Sequence, residues 1–257
     1  MSASAKQKSF YFQIPNSIIQ YACSPCYIED HNSMVLPTYL YSAVNMQYNN
    51  GHKIDTNLSL IASTFDHTDN KLWKNVRDAL KLLHSGYSTT IFTPDMKITS
   101  KTIDIPQSIE YKMHIDNISK TDRIEDYFLN RYTTFAPGEG MTGYTTFYQN
   151  EYNYLIDSIS YANTSSPKDI NLIQLITIYS FFKMQIQYFN NLSKKSISDY
   201  SFKQTLDTIS KSVCMSKRVL MRYVNFLYDI GMIDFDKQDS GSRNSRVYTL
   251  SDRWLSM

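Results

Sequence analysis

Residues 202–250 read FKQTLDTISKSVCMSKRVLMRYVNFLYDIGMIDFDKQDSGSRNSRVYTL, and this stretch decides the fold. Leu206, Ile209 and Val213 recur at spacings of three and four, which predicts a short amphipathic helix over Phe202–Val213. Cys214-Met215-Ser216 breaks the pattern, and Ser216 is a residue type that caps a helix by accepting its free backbone N–H groups. A second helix is predicted from Lys217 to Ile230. At 100° per residue, Val219, Leu220, Tyr223, Val224, Leu227 and Ile230 fall in one arc. Lys217, Arg218, Met221, Arg222 and Asn225 fall in the opposite arc. Gly231 stands where a left-handed residue ends a helix. Two strand-like runs follow, Met232–Phe235 and Arg246–Leu250, around a polar tip that contains Lys237, Gly241, Arg243 and Asn244.

Residues 36–105 repeat this order. Leu36, Tyr39, Leu40, Ala43 and Met46 mark a helix that Asn49-Asn50-Gly51 stops. Asp55 or Thr56 is the expected cap of a second helix carrying Leu58, Ile61, Ala62 and Phe65. A polar turn, Asp66–Asn70, leads to a third helix from Lys71 to Ser85, with the aspartates expected as caps rather than metal ligands. Leu72, Val76, Ala79, Leu80 and Leu83 share one face of that helix, and Lys74, Arg77, Lys81 and His84 the other. Gly86 closes it, and Ser88–Phe92 with Ile98–Ile105 reads as a β-hairpin. Gly86 falls on Gly231, Arg77 on Arg222 and Ile61 on Leu206 at a constant offset of 145, the mark of an internal duplication.

The remaining stretches are less regular. Residues 1–35 read as an N-terminal arm leading into a first domain, with a weakly alternating run at Phe10–Pro15 read as a strand or as an arm that packs on a neighbour. In the connecting segment 106–166, Thr121–Tyr132 reads as a short helix and Phe135–Gly143 as a loop. Tyr144–Tyr161 is expected to be a helix between the domains, and Asn163–Pro167 a linker. Lys168–Asn190 is a long apolar helix whose excess apolar surface suits a dimer or inter-domain contact. The expected fold class is therefore α+β, mainly α with small β-hairpins, in two similar domains (36–105 and 167–257) joined by a helical or irregular middle.

Composition bounds the function classes. The 257 residues are 42% hydrophobic and 19% charged, ordinary for a globular chain. The net charge of +2 hides an asymmetry: residues 165–257 hold 13 Lys+Arg against 8 Asp+Glu, and residues 1–164 hold 13 against 16. Basic charge thus gathers in the half with the stretch quoted first, as a polyanion-binding surface requires. No apolar run of about 18 residues exists, and no apolar core follows the polar first residues, so a cytoplasmic protein without a membrane contact is expected. Three cysteines, Cys23, Cys26 and Cys214, are an odd set that argues against a disulfide framework, and Cys23-x-x-Cys26 is read as two reduced thiols. His31, His52, His67, His84 and His114 are scattered, with no paired-histidine, H-E-x-x-H or H-x-x-R pattern, and the G-x-G at Gly138–Gly140 lacks the spacing of a phosphate cradle. An enzyme is not expected, nor a metal or other cofactor.

Helix, turn, basic-faced helix, glycine, strand, basic loop, strand resembles the winged helix-turn-helix family. The residues that carry the resemblance are Lys217, Arg218, Arg222 and Asn225 on the helix and Lys237, Arg243 and Arg246 on the hairpin. The resemblance implies that the second helix enters the major groove and the wing reaches phosphate or the minor groove. The implied contact set is Ser216, Lys217, Arg218, Arg222, Asn225, Lys237, Arg243, Asn244 and Arg246, with Lys71, Lys74, Arg77 and Lys81 in the first repeat. Two such units in one chain of this length resemble the plasmid replication initiator proteins. That implies a sequence-specific binder of repeated double-stranded DNA sites, a homodimer, and replication or transcription proteins as further partners. A repressor of a mobile element fits the same residues, and so does a winged-helix adaptor that docks proteins during replication.

Overall fold

The computed structural model describes residues 11–26, 28, 30–48, 56–85, 88–92, 98–102, 119–121, 143–162, 170–193, 200–235 and 245–251. They form a mixed α+β fold. Its first run of elements is β1 (Tyr11–Pro15), α1 (Asn16–Cys23), α2 (Val35–Tyr48), α3 (Leu58–Phe65), α4 (Leu72–Ser85), β2 (Ser88–Phe92) and β3 (Ile98–Thr102). The second run is β4 (Tyr144–Tyr148), α5 (Gln149–Ala162), α6 (Leu172–Ser193), β5 (Ser201–Thr205), α7 (Leu206–Ser212), α8 (Lys217–Asp229), β6 (Ile233–Phe235) and β7 (Ser245–Leu250). Each run starts with a strand that passes directly into a helix. Each ends with two helices and an antiparallel hairpin.

The two starting strands pair with each other. β1 and β4 run antiparallel, with Tyr11 opposite Tyr148, Phe12 opposite Phe147 and Pro15 opposite Tyr144. Successive side chains of a strand point to opposite faces. Phe12, Ile14, Thr145 and Phe147 accordingly face the core, while Tyr11 and Tyr144 lie exposed. Gly143, at φ +117°, brings the chain into β4 beside Asn16, and a Cβ there would lie 3.0 Å from the Asn16 amide nitrogen. The Asn16 backbone donates to the Gly143 carbonyl (3.1 Å), and the Thr145 hydroxyl donates to the Asn16 side-chain oxygen (2.7 Å). Two expectations bear on this strand pair. Within the stretch read as an arm, the alternating run is the strand β1, one of the two readings given for it, and α1 follows it into the core. The single helix expected over Tyr144–Tyr161 begins at Gln149, because the alternation of Thr145 and Phe147 is satisfied by pairing with β1.

α1 buries every residue but Gln20, and it packs on α6. α6 is buried almost all round, from Leu172 to Ile186, with Gln174 exposed and Gln185 half-buried. A helix apolar on all sides is a central helix. The surplus apolar surface, expected to serve a dimer or an inter-domain contact, packs within the chain against α1 of the first run as well as β4, β5 and β7. Its one charged residue in that span, Lys183, is fully buried and paired with Glu151 at the start of α5, and the Tyr179 hydroxyl donates to the same carboxylate. The Tyr148 backbone N–H donates to the other carboxylate oxygen (3.0 Å), and the Lys183 ammonium lies 4.7 Å from the centre of the Phe147 ring. Burial lowers the Lys183 pKa against the pull of Glu151, and burial beside that carboxylate raises Tyr179 well above its ordinary value. The Gln187 side chain completes the junction by accepting from the Thr146 N–H (2.9 Å) and donating to its carbonyl (3.2 Å).

The cysteines depart from the expectation of reduced thiols. Cys26 and Cys214 form a disulfide across 188 residues of sequence, with their Cα atoms 5.8 Å apart. α1 carries Cys23 into the core, where its Sγ lies 4.0 Å from the Thr177 carbonyl. Cys26, past the helix end, is exposed and reaches a turn of the second run. The C-x-x-C spacing therefore joins two cysteines in sequence that the helix end separates in space. Among the described residues no helix is long and apolar enough to cross a membrane.

Breaking a buried ion pair leaves a charge without compensation and typically costs about 3–5 kcal/mol. Lys183→Met is therefore expected to lower the unfolding free energy by about that amount in urea titrations followed by circular dichroism. Replacing Glu151 by Gln in the same chain should restore part of the loss. A Lys183→Met protein as stable as the parent would contradict the role given to the pair.

Candidate nucleic-acid interface

Leu206 to Gly231 is built by local signals. The Thr205 hydroxyl caps α7 by accepting from the Thr208 N–H (3.2 Å), and Ser216 caps α8 by accepting from Val219 (3.4 Å). The turn between them holds Cys214 at φ +51° and is closed by Met215 N–H donating to the Ser210 carbonyl (2.9 Å). Gly231, at φ +69°, ends α8. Its N–H donates to Tyr228 and the Met232 N–H to Leu227, the paired bonds of a Schellman closure. The helix predicted from Phe202 starts only at Leu206, because Ser201–Thr205 is a strand. Phe202 lies opposite Tyr248 in a three-stranded sheet of order β5-β7-β6, and both side chains are buried.

α8 buries Leu220, Tyr223, Val224, Phe226 and Leu227, with Val219 and Ile230 half-buried at the margins. The Tyr223 hydroxyl donates to the Gln174 side chain (2.6 Å) and accepts from the Asn171 N–H (3.1 Å), which fixes α8 on the start of α6. The opposite face presents Lys217, Arg218 and Asn225 exposed, and Met221 and Arg222 half-buried, as the arc predicted. Lys217 pairs with Asp207 of α7. Arg246 joins this face from β7. Its guanidinium lies 5.3 Å from the centre of the Phe235 ring and donates to the Met221 sulfur (3.5 Å). Lys217, Arg218, Arg222, Asn225 and Arg246 are thus gathered on α8 and the sheet beside it. Ser216 serves as the cap. Lys237, Arg243 and Asn244 lie outside the described residues.

The equivalent face of the first run differs in charge. Asn57 caps α3, its side chain accepting from the Leu60 N–H (2.9 Å), rather than Asp55 or Thr56. Asp55 lies outside the described residues. Asp66 accepts from the Thr68 hydroxyl (2.6 Å) and N–H (2.8 Å), bonds that hold its carboxyl below the usual range, and Asp69 accepts from the Lys71 N–H (2.8 Å). The turn aspartates therefore act on the backbone, as expected. α4 buries Leu72, Val76, Ala79, Leu80 and Leu83. Lys71 and Lys74 are exposed, while Arg77 and Lys81 are half-buried. Both Arg77 and Lys81 lie 3.6 Å from the Asp78 carboxylate. Lys74 and Arg77 also lie 5.8 Å and 5.7 Å from the centre of the Trp73 ring. At the offset of 145, Asp78 corresponds to the buried Tyr223, and the acid paired with the α8 face is instead Asp207 of α7.

Sequence reasoning missed Asp207, Trp73 and Phe235 as supports of the basic side chains. Asp207 and Lys217 stand ten residues apart on different helices, beyond any helical spacing rule. No family model, curated protein or solved structure matches the chain.

The two local signals have separate costs. Ser216→Ala removes the α8 cap and is expected to lower stability by about 1 kcal/mol. Gly231→Ala meets no atom within 4 Å, so its expected loss of about 1 kcal/mol comes from the left-handed backbone alone. Thermal denaturation of both variants checks this, and unchanged melting temperatures would contradict the assignment of the helix ends.

Proposed function

We propose that the chain is a sequence-specific double-stranded DNA-binding protein with two winged-helix units, and that α8 is its principal recognition helix. The observation that carries this reading is the joint presentation of Lys217, Arg218, Arg222, Asn225 and Arg246 on one face. The order α6-β5-α7-α8-β6-β7, with β7 between β5 and β6, supports it, since that arrangement sets a hairpin next to the helix that would enter the groove. Arg pairs bidentately with guanine and Asn with adenine in the major groove. Arg218, Arg222 and Asn225 are assigned that reading role. Lys217, shared with Asp207, and Arg246, held over Phe235, are assigned phosphate contacts that set position without reading bases.

Within this class we favour a replication initiator of a plasmid or other mobile element. The similar element order of the two runs, apart from β5, supports it, because two similar units on one chain suit repeated origin sites. A mobile-element repressor is the runner-up. The adaptor reading is favoured only for the first unit, where Asp78 offsets Arg77 and Lys81. That unit is assigned a weaker, non-reading contact with DNA or a contact with protein.

Arg222→Ala is expected to weaken binding to a selected duplex site by about 1–3 kcal/mol while leaving the circular dichroism spectrum unchanged. Arg77→Ala should cost less than Arg222→Ala. Fluorescence anisotropy with duplexes selected from a random pool measures both. Full affinity in the Arg222→Ala protein would overturn the assignment of α8.

A further inference from the structure

Cys214 stands in the turn between α7 and α8, two residues before the Ser216 cap and three before Lys217. Its partner Cys26 lies past the end of α1, in the other run of elements. The covalent link therefore ties the turn that leads into α8 to the segment just past α1. Within the turn, Cys214 keeps a left-handed backbone at φ +51°, a conformation costly for a residue with a Cβ, and one long backbone bond from its N–H to the Lys211 carbonyl (3.3 Å). A turn of this kind persists when its surroundings over-determine it.

We propose that the Cys26–Cys214 disulfide is a thiol-exchange site, reduced by dithiols, whose state sets the order of the first turn of α8. The consequence for DNA rests on the reading of α8 as the recognition helix. Access decides the direction of attack: Cys26 is exposed and Cys214 half-buried. One thiolate of the dithiol bonds to the Cys26 sulfur, the Cys26–Cys214 bond breaks, and the Cys214 sulfur leaves as a thiolate that takes a proton from water. The second thiol of the reductant, deprotonated in turn, attacks the mixed disulfide and expels the Cys26 thiolate, which is protonated. Two electrons pass to the protein and the reductant ends as a cyclic disulfide. Cys23, only three residues from Cys26, does not enter the exchange. It is buried against Thr177, and burial raises its thiol pKa, so the attacking thiolate is scarce. The exchange is thereby confined to two states, bridged and open.

The bridged state holds Lys217 and Arg218 in place, and the open state releases them. The test compares amide hydrogen exchange over residues 213–220 in three samples of the full chain: oxidised with glutathione disulfide, reduced with dithiothreitol, and Cys26→Ser. Cys26 is exposed, so serine there disturbs no packing. Faster exchange is expected in the reduced and Cys26→Ser samples, reversed on reoxidation of the parent only, with the Cys26–Cys214 peptide identified by mass spectrometry. Duplex DNA affinity is expected to fall about fivefold or more in the same two samples, within the usual range of coupling between sites. Equal exchange in all three samples overturns the proposal, as does failure of the bridge to form with glutathione disulfide. Exchange that responds while no sample binds DNA would uphold the switch and defeat the DNA-binding reading. Exchange that responds with DNA affinity unchanged would confine the switch to local order and overturn its effect on recognition.

Discussion

The pairing of β1 with β4 is the constraint on which the rest depends. It joins the start of one run of elements to the start of the other, and among the described residues each of the two strands has only the other as its partner. Each strand passes without a loop into a helix, Pro15 into Asn16 and Tyr148 into Gln149, and the strand pair therefore also fixes where α1 and α5 begin. Phe12 stacks on Phe147 at 6.0 Å, and Tyr179 of α6 meets Phe147 edge-on. The central helix is thus packed against the ribbon through one aromatic residue. Closing a contact this distant in sequence carries a loop-closure entropy cost that the local helix pairs do not bear.

Behind the ribbon, Glu151, Lys183 and Tyr179 place a saturated ionic cluster in an otherwise apolar centre. Such a cluster adds little net stability over apolar residues of the same volume. Its effect is on register. Glu151 also accepts from the Tyr148 N–H, so the carboxylate meets Lys183 only when β4 ends and α5 starts at the observed residues. The central ribbon shares one core with the α3–α4 and α7–α8 pairs.

Helices with two distinct faces were readable, and so were the hairpin strands β2, β3, β6 and β7, whereas β4 and β5, which lead straight into helices, were not. α8 carried its period, its cap at Ser216 and its stop at Gly231 within sixteen residues, and all three appear as read. α4 was equally clear from Leu72 to Leu83. β5 was hidden because Phe202, Leu206 and Ile209 satisfy helical spacing, although Phe202 is buried by Tyr248 across the sheet. β4 was hidden because no turn residue separates it from α5. The cap of α3 was ambiguous, since Asp55, Thr56 and Asn57 are all capping types and geometry alone selects Asn57. The offset of 145 aligns α4 with α8, but β1 and β4 are 133 apart, so that offset does not extend to the strands. The basic face was legible residue by residue on α8. Its supports were not, because Asp207 and Phe235 reach it through tertiary packing. The disulfide lay beyond any spacing rule at 188 residues.

The central claim is that α8 and its flanking sheet form a DNA-reading face. The most direct measurement is duplex binding across a series of salt concentrations, with the parent protein and random-pool DNA. Neutralising phosphates releases counterions, so log affinity should fall linearly with log salt, with a slope of about 0.9 per phosphate contacted. A steep slope, together with recovery of a defined repeated site from the pool, is the predicted result. Absence of binding at low salt, where phosphate contacts are strongest, would contradict the account.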